Sequence, residues 1–247
     1  MCTIVLAWRQ FDEVPIAVAA NRDEALGRPS SPPRVTDGDP RVMAPRDERA
    51  GGTWMGVNGH GLFAIVANRW RDGDLAGDRS RGLLVDDVLH ATGVEEAREV
   101  LRRETAANEY EGFNLVVASP ERALVFVWDG ELREERFDPG VHVVVNVGVD
   151  GQFEVPDDRQ EVGERQTAAA ENVASGVDPR PDETADEWLR RAGSVLGDHQ
   201  YGACIHRDRY GTVSSSLVAV HADGRVDWQY ADGPPCTADY RSVDGQI

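Results

Sequence analysis

Four groups of side chains in this sequence have the chemical types that a reaction at a carbonyl group needs. Cys2 follows the first methionine, and Asn21-Arg22-Asp23-Glu24 follow an apolar segment. Asn68 and Asn146 each come directly after an apolar run. A thiolate is a nucleophile, carboxylates and arginines hold charged groups, and amide N–H groups stabilise an oxyanion. These positions are therefore the candidates for a reactive site.

Cys2 offers two reactive groups if Met1 is removed, as is common for methionine before a small residue. A free thiol has a pKa of about 8.5, and the α-amine of the same residue has one of about 7.7–8.0. The amine can therefore accept the thiol proton, and no histidine is required. The alternative is a cysteine that merely follows the start of the chain.

Two strand candidates decide what lies beside this thiol. Residues 3–8 and 16–20 predict a hairpin with its turn near residues 11–12, so that paired positions add up to roughly 23. This register places Cys2 opposite Asn21, with Asp23 just beyond it. We expect Asn21, Arg22 and Glu24 to bind a ligand and the Asp23 carboxylate to orient an ammonium group. The alternative is a solvated turn after a strand.

The rest of the chain alternates groups of strands with pairs of helices. Prolines at 29, 32, 33, 40 and 45 predict an irregular segment over residues 21–53. Thr92–Glu95 and Thr184–Glu187 fit capping boxes. Further strands are expected at 54–57, 62–68, 113–118, 123–128, 132–137, 141–146, 203–206, 212–221 and 226–230, and helices at 82–91, 92–107, 159–175 and 182–196. Meandering strands favour antiparallel sheets, so we predict an α+β fold with a four-layer αββα sandwich of two antiparallel sheets, formed by one domain over residues 1–247.

The composition excludes several classes of function. The chain has 44 acidic and 26 basic residues, which give a formal net charge of −18. All 26 basic residues are arginines. Such a balance disfavours nucleic acids and anionic membrane surfaces, and it is typical of a halophilic protein. Apolar runs such as 123–128 and 141–145 are too short to insert into a membrane, and no signal peptide is recognisable. We therefore expect a cytoplasmic protein with a small-molecule ligand or substrate; the oligomeric state stays open.

Cys2, Cys204 and Cys236 form neither a disulfide framework nor a CxxC zinc motif. Cys204 and His206 are two residues apart and therefore share one face of a predicted strand. They are either ligands for a metal or haem iron, or core and site-lining residues. The second interpretation is favoured because no further soft ligands cluster with them in sequence, so no metal and no required cofactor are expected. Trp54 and Trp70 are expected to flank the cleft.

Several motifs together resemble the NRDE family, which is related to the transport and Golgi organization protein 2 of eukaryotes. They are Met1-Cys2, Asn21-Arg22-Asp23-Glu24, Gly51-Gly52-Thr53-Trp54, Asn68-Arg69, Cys204-Ile205-His206 and Tyr210-Gly211-Thr212. The resemblance implies the N-terminal-nucleophile (Ntn) hydrolase fold and a relation to choloylglycine hydrolases and penicillin V acylases. By that similarity Cys2 is the nucleophile and Asp23 orients its amine, while Asn68 and Asn146 occupy the oxyanion and amine-positioning places.

Two functions follow from this resemblance. The first is hydrolysis of a small amide or acyl compound. The alternative is a non-catalytic haem or acyl-CoA binding and trafficking protein that uses the same cleft, with His206 as a candidate ligand. This alternative is motivated by the eukaryotic relatives, which are implicated in haem movement and acyl-CoA metabolism, and by Ala20, which stands where those hydrolases usually carry arginine. A structural protein with a vestigial cleft is the third possibility.

Overall fold

The computed structural model of the chain describes residues 2–73 and 75–247. The strands are β1 (Thr3–Trp8), β2 (Ile16–Ala25), β3 (Ser30–Thr36), β4 (Val42–Asp47), β5 (Met55–Asn58), β6 (Phe63–Asn68), β7 (Phe113–Ala118), β8 (Ala123–Trp128), β9 (Leu132–Arg136), β10 (Gly140–Val145), β11 (Gly148–Val149), β12 (Gln152–Phe153), β13 (Tyr210–Val220), β14 (Val226–Ala231) and β15 (Arg241–Ser242). The α-helices are α1 (Arg81–Val88), α2 (Val94–Ala107), α3 (Gln160–Val177) and α4 (Ala185–Gly197).

These elements form two antiparallel sheets between two pairs of helices. The first sheet has the order β12-β11-β10-β1-β2-β13-β14-β15, and the second runs β3 to β9 in sequence order. In β1 the side chains of Ile4 and Leu6 pack between the sheets, whereas Val5 and Ala7 pack under α3 and α4. Helices α1 and α2 cover the second sheet. Both faces of the central strands are therefore buried, and the predicted αββα sandwich is confirmed.

The register between β1 and β2 differs from the prediction by one residue. Thr3 pairs with Asn21, so Cys2 comes opposite Arg22 and not opposite Asn21. The turn is centred one-half residue later than expected because the Arg9 N–H bonds the Pro15 carbonyl at 2.7 Å. A one-residue change of register exchanges the two faces of a strand. Asn21 therefore points toward the helices, and Arg22 points toward the other sheet.

The prediction of an irregular segment over residues 21–53 is wrong. Strand β2 continues to Ala25, and β3 and β4 follow it. The prolines are accommodated because β3 is the edge strand and a bulge between Ser31 and Arg34 interrupts its ladder with β4. Proline is tolerated at an edge or a bulge, where no ladder N–H is needed.

Two smaller predictions also differ from the structure. Residues 203–206 form only an isolated bridge between His206 and Gly211. Helix α2 begins after Gly93 without a side-chain cap, and the Glu96 carboxylate instead accepts bonds from Thr92. The capping box at the start of α4 is present as predicted. Within the described ranges, none of the helices has the length and apolar character needed to cross a membrane.

Candidate functional site

A cavity of about 100 Å³ lies between the sheets, where β1 begins and β2 ends. The half-buried Cys2 side chain lines this cavity, and its Sγ lies 3.9 Å from the main-chain carbonyl oxygen of Asp23. The first sheet contributes Cys2, Arg22, Asp23 and Glu24 to its walls; the second sheet and the start of α1 contribute Asp47, Thr53, Trp54, Val66, Asn68, Ser80, Arg81 and Gly82. The structure thus brings Cys2, Asp23 and Asn68 together, as the sequence predicts.

Asn146 fixes the main-chain nitrogen of Cys2. Its Oδ1 accepts a bond of 2.9 Å from Cys2 N and one of 2.8 Å from Gln166 Nε2, and its Nδ2 donates to the Asn68 carbonyl at 2.6 Å. Asn146 directly follows β10, and Gln166 lies on α3, so strand and helix hold the amide from two sides. Gln166 was not predicted from the sequence, because its position in a polar helix gives no local signal.

Asp23 is a buried carboxylate, 5% exposed, held by residues of β13. The Thr212 hydroxyl donates to Asp23 Oδ1 at 2.6 Å, and the Tyr210 hydroxyl donates to the Asp23 main-chain carbonyl at 2.9 Å. Burial raises the pKa of Asp23 to about 6, against the opposing effect of the Thr212 hydrogen bond. The carboxyl group is therefore mostly ionised at neutral pH and takes up a proton near pH 6.

The Tyr210-Gly211-Thr212 motif acquires a structural reason from these contacts. Thr212 Oγ1 also accepts a 2.9 Å bond from the Ile205 N–H, so one hydroxyl joins Asp23 to the segment before β13. A Cβ atom at Gly211 would lie 2.6 Å from the Ile205 carbonyl oxygen. Only glycine permits this close approach.

Arg22 lies over the indole ring of Trp54, with its guanidinium carbon 4.0 Å from the ring centroid. Its Nη2 is 3.3 Å from Asp47 Oδ2, which also accepts a 2.7 Å bond from Arg28 Nε.

Burial raises the pKa of the Cys2 thiol, and the charge of Asp23 adds to this effect, while Arg22 opposes it. Cys2 is therefore a protonated thiol before reaction, and a base must remove this proton before the sulfur can attack a carbonyl group.

The Gly51-Gly52-Thr53-Trp54 motif closes the opposite wall of the cavity. A Cβ atom at Gly52 would lie 2.2 Å from the main-chain carbonyl of Gly82, at the start of α1. The Thr53 N–H donates to that same carbonyl at 3.0 Å. Glycine at position 52 therefore lets α1 approach β5 closely enough for Arg81 and Trp54 to share one cavity.

Not every predicted ligand-binding residue reaches this cavity. Asn21 donates through Nδ2 to the carbonyl groups of Leu196 and Ala203, at 3.0 and 3.1 Å, and so supports α4 from below. Glu24 does line the cavity, with its carboxylate 3.8 Å from Arg28.

Arg69 and Trp70 line an adjoining cleft of about 170 Å³, which shares Asn68 and Arg81 with the Cys2 cavity. The guanidinium of Arg159 lies 5.3 Å from the Trp70 ring. Arginines 69, 71, 81 and 159 all border this cleft. Among these arginines, Arg69 pairs with Glu154 and Arg81 pairs with Glu111.

His206 does not line the Cys2 cavity, in contrast to its predicted place as a ligand in the same cleft. It lies beside Cys204 and Cys236, with His199 completing a group of four. His199 and Cys236 come from other segments of the chain, so the sequence gives no sign that they lie beside Cys204 and His206.

Comparisons with known proteins show which family the sequence matches. The sequence model of the transport and Golgi organisation 2 family matches residues 1–229. The chain is 27% identical over 260 residues to the bovine transport and Golgi organization protein 2 homolog, covering 92% of this chain and 91% of that protein.

Two solved structures share the fold at low sequence identity. Penicillin V acylase from Agrobacterium tumefaciens has a TM-score of 0.59 and 15% identity, over 98% of this chain and 86% of that one. A mutant conjugated bile acid hydrolase from Clostridium perfringens has a TM-score of 0.56 and 12% identity, over 99% and 97%. Both are Ntn hydrolases, so the fold is that of this class. With the family model matched over nearly the whole length, the chain belongs to the transport and Golgi organisation 2 family.

Proposed function

We propose that the chain is an N-terminal-nucleophile cysteine hydrolase of a small amide or related acyl compound that carries an anionic group. The observation that carries the proposal is the hydrogen bond from Cys2 N to Asn146 Oδ1, beside a cavity that Cys2 and Asp23 line. The names of the two fold neighbours, an acylase and a conjugated bile acid hydrolase, support the choice of reaction class.

Hydrolytic removal of Met1 converts the Cys2 main-chain nitrogen into an α-amine. Asn146 Oδ1 then accepts one N–H of that amine, so the nitrogen lone pair keeps a fixed direction relative to the thiol. Asp23, ionised above about pH 6, stabilises the ammonium that forms when the amine takes the thiol proton.

The reaction then proceeds through an acyl-enzyme. The Cys2 sulfur bonds to the substrate carbonyl carbon, and the carbonyl electrons move to oxygen, where the Asn68 side-chain amide at the cavity wall offers an N–H donor. The carbon–nitrogen bond breaks, and the leaving amine receives the proton held by the α-amine. Water attacks the thioester, the acid leaves, and the thiol regains its proton.

The cleft that adjoins the Cys2 cavity supports the choice of an anionic substrate. Among the described residues, three arginines and three carboxylates line the Cys2 cavity itself, whereas four arginines and one carboxylate border the adjoining cleft. A carboxylate on the substrate pairs with such guanidinium groups, frequently in a bidentate manner.

The test begins with the intact mass of the purified protein, before and after a brief exposure to iodoacetamide. We expect a mass without Met1 and one rapid alkylation at Cys2, with hydrolysis of anionic N-acyl amino acids in the unlabelled protein. Cys2→Ala should lose at least about 10³-fold in kcat/KM, as expected when the nucleophile is removed.

Asn68→Asp serves as a graded variant, because it removes the amide donor and adds a charge. It should lower kcat more than it changes KM. Retention of Met1 in active protein, or equal turnover by Cys2→Ala, contradicts the proposal.

The arginine-bordered cleft favours a second candidate, a non-catalytic carrier of acyl-CoA, which is a polyanion with a thioester. Binding of a fluorescent acyl-CoA without turnover, unchanged by Cys2→Ala and weakened by Arg159→Ala, supports the carrier. Turnover that depends on Cys2 supports the hydrolase.

A further inference from the structure

We propose that Cys204, Cys236, His199 and His206 form a structural Zn²⁺ site. One ligand atom of each residue lies within 4.8 Å of the ligand atoms of the other three. Two sulfurs and two imidazole nitrogens are a donor set that proteins use for tetrahedral zinc. The group stands apart from the Cys2 cavity, so this inference does not depend on the proposed hydrolase.

The three distances among Cys204, His206 and Cys236 match the edges of a tetrahedron around zinc. With Zn–S of about 2.3 Å and Zn–N of about 2.0–2.1 Å, two sulfurs lie about 3.8 Å apart, and a sulfur and a nitrogen about 3.6 Å. The observed separations are 3.5 Å between the sulfurs of Cys204 and Cys236, and 3.5 and 3.2 Å from His206 Nε2 to these two sulfurs. Each lies within about 0.4 Å of the tetrahedral edge.

Three separate segments bring the ligands together. His199 begins a short 3₁₀ turn that ends at Gly202, whose N–H donates to the His199 carbonyl. Cys204 and His206 follow two and four residues later. Cys236 lies in a turn after β14, where two N–H groups donate to the Pro234 carbonyl. Backbone contacts thus shape the turns that carry His199 and Cys236.

The chemistry of binding is balanced by loss of two protons. Zn²⁺ displaces the thiol protons of Cys204 and Cys236 to the solvent, and two thiolates with two neutral imidazoles give an uncharged site. Four protein donors leave no open position, which is the arrangement of a structural site and not of a catalytic one.

The site braces one wall of the Cys2 cavity from outside. Ile205, between two of the ligands, donates its N–H to Thr212, and the Thr212 hydroxyl donates to Asp23. Zinc bound at this cluster therefore fixes the segment that holds the Asp23 carboxylate.

The experiment uses reduced protein from which metals have been removed. One equivalent of Zn²⁺ is added, unbound metal is removed by gel filtration, and the bound metal is measured by mass spectrometry. We expect one zinc per chain. Co²⁺ added in place of zinc should give the intense visible and near-ultraviolet bands of a tetrahedral thiolate site.

Cys236→Ser and His206→Ala should each weaken zinc binding at least tenfold. Cys2→Ser and His60→Ala are the matched controls, because each removes one potential ligand outside the cluster, and both should keep wild-type affinity. Circular dichroism of each variant without metal establishes that it is folded.

Three outcomes would overturn the proposal. They are no zinc uptake by folded, reduced protein at micromolar concentrations, wild-type affinity in folded Cys236→Ser, or a Cys204–Cys236 disulfide in protein purified without a reductant that persists when zinc is supplied.

Discussion

The chain holds its cysteines in two places with different neighbours. Cys2 lies beside a main-chain nitrogen bound by Asn146, a buried carboxylate and a guanidinium. Cys204 and Cys236 lie beside two imidazoles and each other. A single thiol next to a proton acceptor is suited to nucleophilic attack, whereas two thiols and two imidazoles in one cluster are suited to a metal. The neighbours, and not the thiol, decide the chemistry.

The two places also differ in how they are held. Asn146, Gln166 and Asp23 are at most 5% exposed. The Asn146–Gln166 bond joins the end of β10 to α3, and Asp23 joins β2 to β13. The second group lies on connecting segments, and His199 and His206 are exposed. We therefore expect the Cys2 site to depend on buried hydrogen bonds and the zinc site to depend on its metal. The following substitutions test that difference.

Asn146→Leu should have the largest effect on the metal-free protein. It leaves the Cys2 N–H and Gln166 Nε2 without their acceptor in a buried place. Two unsatisfied buried donors should lower the free energy of unfolding by about 4 kcal/mol. Chemical denaturation followed by circular dichroism measures it.

Asn68→Leu is the matched control for this substitution. The Asn68 side chain is exposed at the end of β6, so the free energy of unfolding should change by no more than about 0.5 kcal/mol. Equal losses in the two variants would show that burial does not separate the two asparagines.

Asp23→Asn should change the pH dependence of stability. The folded-state pKa of about 6 lies above the ordinary value, so the folded chain binds this proton more tightly than the unfolded chain. The resulting stabilisation is present below about pH 4 and is lost as the pH rises through about 6. Relative to Asp23→Asn, the wild type should lose about 2.4 kcal/mol between pH 4 and pH 7.

Denaturation at the two pH values measures this difference, with Glu24→Gln as a control at the cavity mouth. A wild type that gains stability relative to Asp23→Asn as the pH rises would reverse the sign and contradict the burial of an ionisable Asp23.

Much of this architecture could be predicted from local sequence patterns. Alternating groups of strands and helices gave the αββα sandwich, because strands buried on both faces are near-continuous apolar runs. Cys2 and Asp23 were placed together because a hairpin fixes which residues share its open end. The register was wrong by one because the turn geometry around Arg9 and Pro15 has no strong dipeptide signal.

The rest depends on contacts between distant segments. Gln166 lies 20 residues from Asn146, and Cys236 lies 32 residues from Cys204. Neither spacing is a known motif, so the sequence favours core and site-lining roles for Cys204 and His206 and gives no signal for His199 or Cys236. The proline-rich segment was predicted to be irregular because an edge strand with a bulge cannot be told from a loop before the sheet order is known.

Thr212→Val tests the single hydroxyl that connects the two places. It removes the acceptor for the Ile205 N–H and the donor to Asp23 Oδ1, and should cost about 2 kcal/mol. Because the Thr212 bond lowers the pKa of Asp23, its loss should move that pKa further upward. Thr212→Ser keeps the hydroxyl and should restore most of both properties. An unchanged Asp23 titration in Thr212→Val would separate the two regions.

Cys236→Ser should have the smallest effect on reduced, metal-free protein. The side chain is half-buried on a connecting turn, and serine keeps a polar group of similar size, so the loss should stay below about 1 kcal/mol. With zinc at 1,000 times its dissociation constant, the wild type should gain about 4 kcal/mol, and a variant that binds zinc at least tenfold more weakly should gain at least about 1.4 kcal/mol less. Denaturation with zinc and with a chelator measures both values. A loss of several kcal/mol in the chelator would mean that Cys236 supports the fold by packing, as Asn146 does by hydrogen bonding, and that the two places are held in the same way.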